Sequence, residues 1–198
     1  MRLDKLTTKF QEALSEAQSL ALANDHAYIE PEHLLVAMLR QEDGPQALLQ
    51  RAGVNVPALL ASAEAAMHKR PQVQGQEQVQ VGRELVGLLQ AAEKEGLKRG
   101  DQFIASELFL LALADAKSDL ARIARENGLS RKAFATAVEA VRGGQKVDSA
   151  EAEGQRESLK KYCMDLTERA RQGKLDPVIG RDDAVSYTHL TLPTILRV

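Results

Sequence analysis

Four histidines, one cysteine and 28 acidic residues are the side chains of this 198-residue chain with most scope for chemistry. Their spacing decides how much. His26, His33, His68 and His189 are scattered, and none stands at the separation from a second histidine, a cysteine or a carboxylate that a zinc site needs. His33 falls in the first turns of an expected helix, beside Leu34 and Leu35, and reads as a packed, hydrogen-bonded imidazole. Cys163 shares a helix face with Leu159 and Leu166, which predicts a small buried hydrophobe rather than a nucleophile. As the single cysteine it has no partner for an intrachain disulfide. No serine sits in a G-x-S-x-G turn, and no G-x-x-x-x-G-K-[ST] phosphate loop occurs anywhere in the chain. Without the amides and lysine of such a loop, nothing grips nucleotide phosphates or places a magnesium ion. The chain is therefore expected to be neither an enzyme nor a metal protein.

Two carboxylates gain meaning from repetition. "YIEPEHLLVAM" (Tyr28 to Met38) and "FIASELFLLAL" (Phe103 to Leu113) lie 75 residues apart and align without a gap, setting Glu32 over Glu107. The same shift sets Phe10 on Leu85, Leu14 on Leu89, Ala17 on Ala92, Gly53 on Gly128 and Val54 on Leu129. Self-similarity over such a period marks repeated supersecondary units. Each unit predicts four helices. In the first, Thr7 is placed to cap a helix whose apolar face carries Phe10, Ala13, Leu14, Ala17 and Leu20 or Ala21. Its counterpart runs from about Gly82 to Lys98. The second helix starts at Pro31, a residue suited to a first helical position, and its equivalent near Ser106. Glu32 and Glu107 then fall in first turns, where exposed N–H groups stabilise a carboxylate. A third, short helix holds Ala47 to Ala52 and ends at Gly53, repeated as Leu120 to Asn127 ending at Gly128. A fourth spans Pro57 to His68, and again Arg131 to Arg142.

Composition agrees with an all-α fold: 44% hydrophobic but only 4% aromatic, with Ala and Leu dominant. Net charge is −2, from 26 basic and 28 acidic residues that are interspersed, so nucleic acid and anionic membranes are not expected partners. The opening "MRLDKLTTKF" carries charges where a signal peptide needs its apolar run, and no stretch approaches the roughly 18 apolar residues of a membrane span. A cytoplasmic location is expected.

Composition also suggests the boundaries. Residues 1–145 read as one domain of two repeats, about 1–70 and 76–145, packed as a pseudo-dimer. "KRPQVQGQEQVQVG" (Lys69 to Gly82) reads as a connector. "GGQKVDSAEAEGQRE" (Gly143 to Glu157) is polar, contains glycine and lacks aromatics, as a flexible tether does, which gives a linker over 146–157. From Ser158 a new helix carries Leu159, Tyr162, Cys163, Leu166 and Ala170, and Gly173 ends it.

The doubled Ile-x-x-Glu pattern followed by an apolar run resembles the double repeat at the N-terminus of Clp/Hsp100 chaperone ATPases. Within that family, "MRLDKLTTKFQEAL" and "KKYCMDLTERARQGKLDPVIGRDD" are similar to the ClpB-type disaggregases, with the ClpC and ClpA types as alternatives. The resemblance covers Met1 to Asp183. It implies that residues 158–183 lead into a first AAA+ domain, cut short here, in which Val178, Ile179 and Gly180 would lie near the adenine of ATP. Beyond Asp183 the family pattern stops, and "VSYTHLTLPT" is similar to a translated sequencing-library adaptor; residues 184–198 are read as a non-native tail.

For function, the resemblance implies a hydrophobic groove with a polar edge that engages unfolded or aggregated polypeptides. Carried over motif by motif, its members are Thr7 in "DKLTTKF", Asp101 in "KRGDQFI", and Glu107 with Leu108 in "IASELFL". Each also has an ordinary structural reading: helix-terminal roles for Thr7 and Glu107, a loop contact for Asp101, a core position for Leu108. In the parent protein the resemblance implies ATP and magnesium, a homohexamer and an Hsp70-type chaperone partner; this chain alone is expected to need no cofactor. The alternative is a domain of a protease unfoldase that docks adaptors or modified arginine, in which Glu32 and Glu107 would pair with cationic groups.

Overall fold

A computed structural model describes residues 3–42, 44–73 and 78–154. The expected helix from Ser158 with Cys163, the segment holding Val178, Ile179 and Gly180, and the tail with His189 lie outside the described residues.

The described residues form eight α-helices: α1 (Thr8–Ala23), α2 (Pro31–Arg40), α3 (Gln46–Arg51), α4 (Val56–His68), α5 (Arg83–Arg99), α6 (Ser106–Asp115), α7 (Asp119–Glu126) and α8 (Arg131–Arg142). This is the all-α, twice-four arrangement that the repeat predicts. A helix apolar on every side belongs in the interior. Accordingly α2 is buried from Pro31 to Leu39 and α6 from Ser106 to Ala114. Around them pack helices with a single apolar stripe: Phe10, Ala13, Ala17 and Ala21 of α1 are buried, as are Leu85, Leu88, Leu89, Ala92 and Gly96 of α5. α1 lies on α2, and α5 on α6. The rings of Phe10 and Phe109 meet across the repeats, their centroids 6.2 Å apart.

The two repeats face each other about a local pseudo-twofold. α3 packs on α8 while its counterpart α7 packs on α4. At the centre two equivalent glycines touch. Both adopt the left-handed conformation that ends the preceding helix, Gly53 at φ +86° and Gly128 at φ +97°, and a Cβ on Gly128 would lie 2.9 Å from the Gly53 carbonyl oxygen. Beside them the Asn55 N–H donates to the Asn127 carbonyl at 3.0 Å. The repeats also exchange their leading segments. β2 (Gln80–Val81), which precedes α5, pairs in parallel with β1 (Tyr28–Ile29) of the first repeat. Reciprocally, Leu6, which precedes α1, bridges to Ile104 of the second.

Two expectations need correction. Thr7 stands at the N-cap of α1, but its side chain makes no capping bond there; its hydroxyl is engaged elsewhere. The segment read as a flexible tether is, through Gly154, laid along the repeats. Gly143 and Gly144 both take positive φ, +57° and +79°, and send the chain back from the end of α8 toward the α5–α6 loop. Val147 is then fully buried, and its carbonyl accepts from the Gln102 and Phe103 N–H groups at 3.0 and 3.1 Å. Composition misled because three glycines and four acidic residues resemble a solvated linker, whereas Gly143 and Gly144 make a defined turn and Glu153 finds hydrogen-bond donors.

Candidate functional site

The site grows from the Leu6–Ile104 bridge. The Ile104 N–H donates to the Lys5 carbonyl at 2.7 Å, and the Thr7 N–H to the Ile104 carbonyl at 3.1 Å. These bonds place the N-terminus of α1 beside that of α6. Both helices therefore aim their unpaired N–H groups at one junction, which favours negative charge or a carbonyl dipole.

Residues 147–154 fill that junction. The Glu153 carboxyl accepts from the Thr7 hydroxyl at 2.7 Å, from the Ser106 N–H at 2.5 Å and from the Ser106 hydroxyl at 3.2 Å. The Ala150 carbonyl accepts from the Thr8 N–H at 2.9 Å. At the other end of the strap, the Val147 N–H donates to Asp101 Oδ1 at 3.0 Å. Thr7 is itself fully buried. Burial, and then the neighbouring Glu107 carboxylate, push the Glu153 carboxyl up to about 8, against the opposing pull of the bonds from Thr7 and Ser106. Below that pH the Glu153 carboxyl holds its proton.

Beneath the strap lies a buried ion cluster. Arg142, the last residue of α8, donates from Nη1 to Asp101 Oδ2 at 2.7 Å and from Nε to Glu107 Oε1 at 3.1 Å. The three side chains are 4%, 1% and 7% exposed, in that order. Charges so enclosed are tolerated because each is paired and hydrogen-bonded.

The first repeat builds the equivalent junction differently. Gly82 is the N-cap of α5, and its N–H donates to the Ile29 carbonyl at 2.9 Å. The carboxyl of Glu30, the N-cap of α2, lies directly over it: a Cβ on Gly82 would come within 2.5 Å of Glu30 Cδ. Glu32 pairs with Arg70 Nη2 at 2.7 Å, and Arg70 remains 33% exposed. Next to this lies a buried histidine pair. The Glu30 N–H donates to His33 Nδ1 at 2.9 Å, so His33 carries its proton on Nε2 and donates to His26 Nδ1 at 2.8 Å. Burial pushes both imidazoles down, His33 to about 4. The packed, hydrogen-bonded imidazole expected for His33 is what stands there.

Of the residues singled out from sequence, Thr7, Asp101 and Glu107 converge on this one junction. Leu108 does not line a surface. It is fully buried and packs its Cδ1 against Gly96 of α5, 3.1 Å from where a Cβ there would stand. Sequence reasoning missed Ser106, Arg142, Val147 and Glu153. The double glycine at Gly143–Gly144, followed by a lone aliphatic residue and spaced acids, was the available signal. Among the described residues, no group of three His, Cys, Asp or Glu side chains could hold a metal ion, and no helix is long and apolar enough to cross a membrane.

Comparison with known proteins gives consistent findings. The family model of the Clp repeat (R) N-terminal domain matches residues 5–127. The chain is 47% identical over 190 residues to the chaperone protein ClpB of Vibrio cholerae, covering 95% of this chain and 22% of that protein; it thus spans about a fifth of the length of the curated relatives it matches. The fold is similar to the crystal structure of the Hsp104 N-terminal domain from Candida albicans, with a TM-score of 0.67 at 22% identity over 75% of this chain and 99% of that one. It is also similar to a ClpV N-domain solved in complex with a VipB peptide, with a TM-score of 0.60 at 24% identity over 72% and 89% of the two chains.

Proposed function

Because the chain belongs to the family of Clp repeat N-terminal domains, we propose that it is the substrate-binding domain of a ClpB-type, ATP-dependent protein disaggregase. In this reading it works in the cytoplasm, where it holds exposed segments of unfolded or aggregated polypeptide. It passes them to a homohexameric ATPase ring that uses ATP and magnesium, with an Hsp70-type chaperone as co-worker. The binding module comprises the two repeats and the strap through Gly154. The chain itself carries binding, and the chemistry belongs to the ATPase part of the parent protein.

One observation carries the reading. A polypeptide segment, the chain's own residues 147–154, runs through a turn into a helical start at Ala152 and is seated on the Thr7–Asp101–Ser106 junction by backbone bonds at Val147 and Ala150 and side-chain bonds at Glu153. Main-chain bonds accept many sequences, as a chaperone surface requires. The ClpV N-domain solved with a peptide is a second domain of this fold that holds one. The alternative, a cationic or modified-arginine ligand at Glu32 and Glu107, meets an obstacle in that both carboxylates already hold guanidinium groups of the chain, Arg70 and Arg142.

The test is a titration of fluorescently labelled, permanently unfolded casein. Saturable binding is expected, with Thr7→Val altering the affinity while the thermal melt stays cooperative. Absence of binding at every concentration up to millimolar would contradict the reading.

A further inference from the structure

We propose that the junction of the α1 and α6 N-termini is a receptor for an acidic segment carrying an aliphatic side chain and, six residues later, a carboxyl group. Residues 147–154 are its resident occupant, and an outside segment of the same chemistry takes their place. This deepens the polypeptide-binding reading and rests on it for the class of ligand.

In the first repeat the carboxylate between two helix N-termini is Glu30, the N-cap of α2 itself. Its counterpart in the second repeat, 75 residues on, is Ala105, which offers no oxygen. The donors are nevertheless there: the Thr7 hydroxyl, the Ser106 N–H and the Ser106 hydroxyl converge on one carboxyl group. Thr7 stands where the first repeat has Gly82, so this junction has gained a donor as it lost its acceptor. The acceptor must come from outside the repeat, and the Glu153 carboxyl supplies it.

The other end of the strap is equally selective. Val147 is wholly buried, and its N–H and carbonyl bond to the Asp101 carboxylate and to the Gln102 and Phe103 amides. Between the two anchors the Ala150 carbonyl accepts from the Thr8 N–H, and Asp148 and Glu151 are acidic. The strap therefore holds by an aliphatic anchor, a carboxyl anchor and backbone bonds, the combination by which a peptide ligand is held. None of the eight helices of the repeats has to unwind for it to leave. Tethered by two glycines, it competes with outside ligands at a high effective concentration.

The test uses the full 198-residue chain and a fluorescein-labelled peptide with the sequence of residues 145–154. Val147→Ser with Glu153→Ala releases the strap, and the peptide is expected to bind this variant at least tenfold more tightly than the unaltered chain. Adding Thr7→Val, or replacing the glutamate of the peptide that corresponds to Glu153 by alanine, is expected to remove at least tenfold. Equal affinity with and without the strap, no binding to a strap-released chain that still melts cooperatively, or indifference to Thr7→Val would each overturn the proposal. If the released variant does not fold, the unaltered chain decides: millimolar peptide should shift the amide resonances of Thr8, Gln102, Phe103 and Ser106, and unmoved resonances overturn it. Peptide binding to a released chain that ignores unfolded casein would sink the chaperone reading and leave the acidic receptor standing.

Discussion

The two repeats use the same helices to present the same first-turn glutamate, yet one junction is completed locally and the other from a distance. In the first, Glu30, Glu32 and Arg70 all belong to the repeat, and the neighbouring apolar surface stays open, with Tyr28 49% and Val81 46% exposed. In the second, Arg142 is 4% exposed and Leu6, the counterpart of Val81, is fully buried. The missing carboxylate there arrives with Glu153, after both repeats are complete. A group supplied by a returning strap can leave while the helices of both repeats stay intact, whereas Glu30 is built into the start of α2. Duplication thus yields one junction that is fixed structure and one suited to exchange.

The contrast is broken most strongly at the arginines. Arg142→Ala leaves two buried carboxylates facing each other without a cation and is expected to cost about 3–5 kcal/mol. Arg70→Ala, at a site open to water, should cost about 1–3 kcal/mol through the unsatisfied Glu32. Urea denaturation measures both, and equal costs would remove the asymmetry. For the same reason Asp101→Ala or Glu107→Ala will lower stability as well as any affinity, so neither is a clean probe of binding. The packing, by contrast, should be symmetric. Leu35→Ala and Leu110→Ala remove equivalent, fully buried side chains, and each is expected to cost about 2–5 kcal/mol. A large difference between their thermal midpoints would contradict the shared core.

The response to pH should divide the repeats in opposite directions. His33 is held down to about 4 by burial and by His26 and Arg70, with Glu32 opposing. Between the ordinary 6.5 and that value the unfolded chain binds a proton that the fold refuses, so stability falls as pH drops through this window. Glu153 is raised to about 8 by burial and Glu107. From its ordinary 4.5 upward the released strap gives up a proton that the docked carboxyl keeps, so docking weakens as pH rises toward 8. Thermal melts from pH 4 to 9 with His33→Gln and Glu153→Gln should each flatten one side of the profile. The smallest effect is expected at Thr7→Val, about 0.5–1.5 kcal/mol for one hydrogen bond, because the hydroxyl does not cap α1. A loss of helix content there would mean that it does.

How much of this is legible without coordinates follows from range. The helices and their turns are written locally: Pro31 at a first helical position, Gly53 and Gly128 after short helices, an apolar residue every three or four. Their pairing is legible through the 75-residue repeat, which relates each contact to a counterpart. The junction is not, because its partners are far apart in the chain: Thr7 with Glu153, Asp101 with Arg142 and Val147. Leu108 shows the converse limit. Its neighbour Glu107 faces the junction, but a helix buried on all sides turns the next residue into the core.

Amide exchange on the unaltered chain, with and without an excess of permanently unfolded casein, tests most directly whether polypeptide binds by replacing the strap. The account predicts that casein accelerates exchange at the Val147 amide, which loses Asp101, while the Gln102 and Phe103 amides stay protected by the incoming chain. Casein binding that leaves Val147 as protected as before would place the binding surface elsewhere and contradict the account.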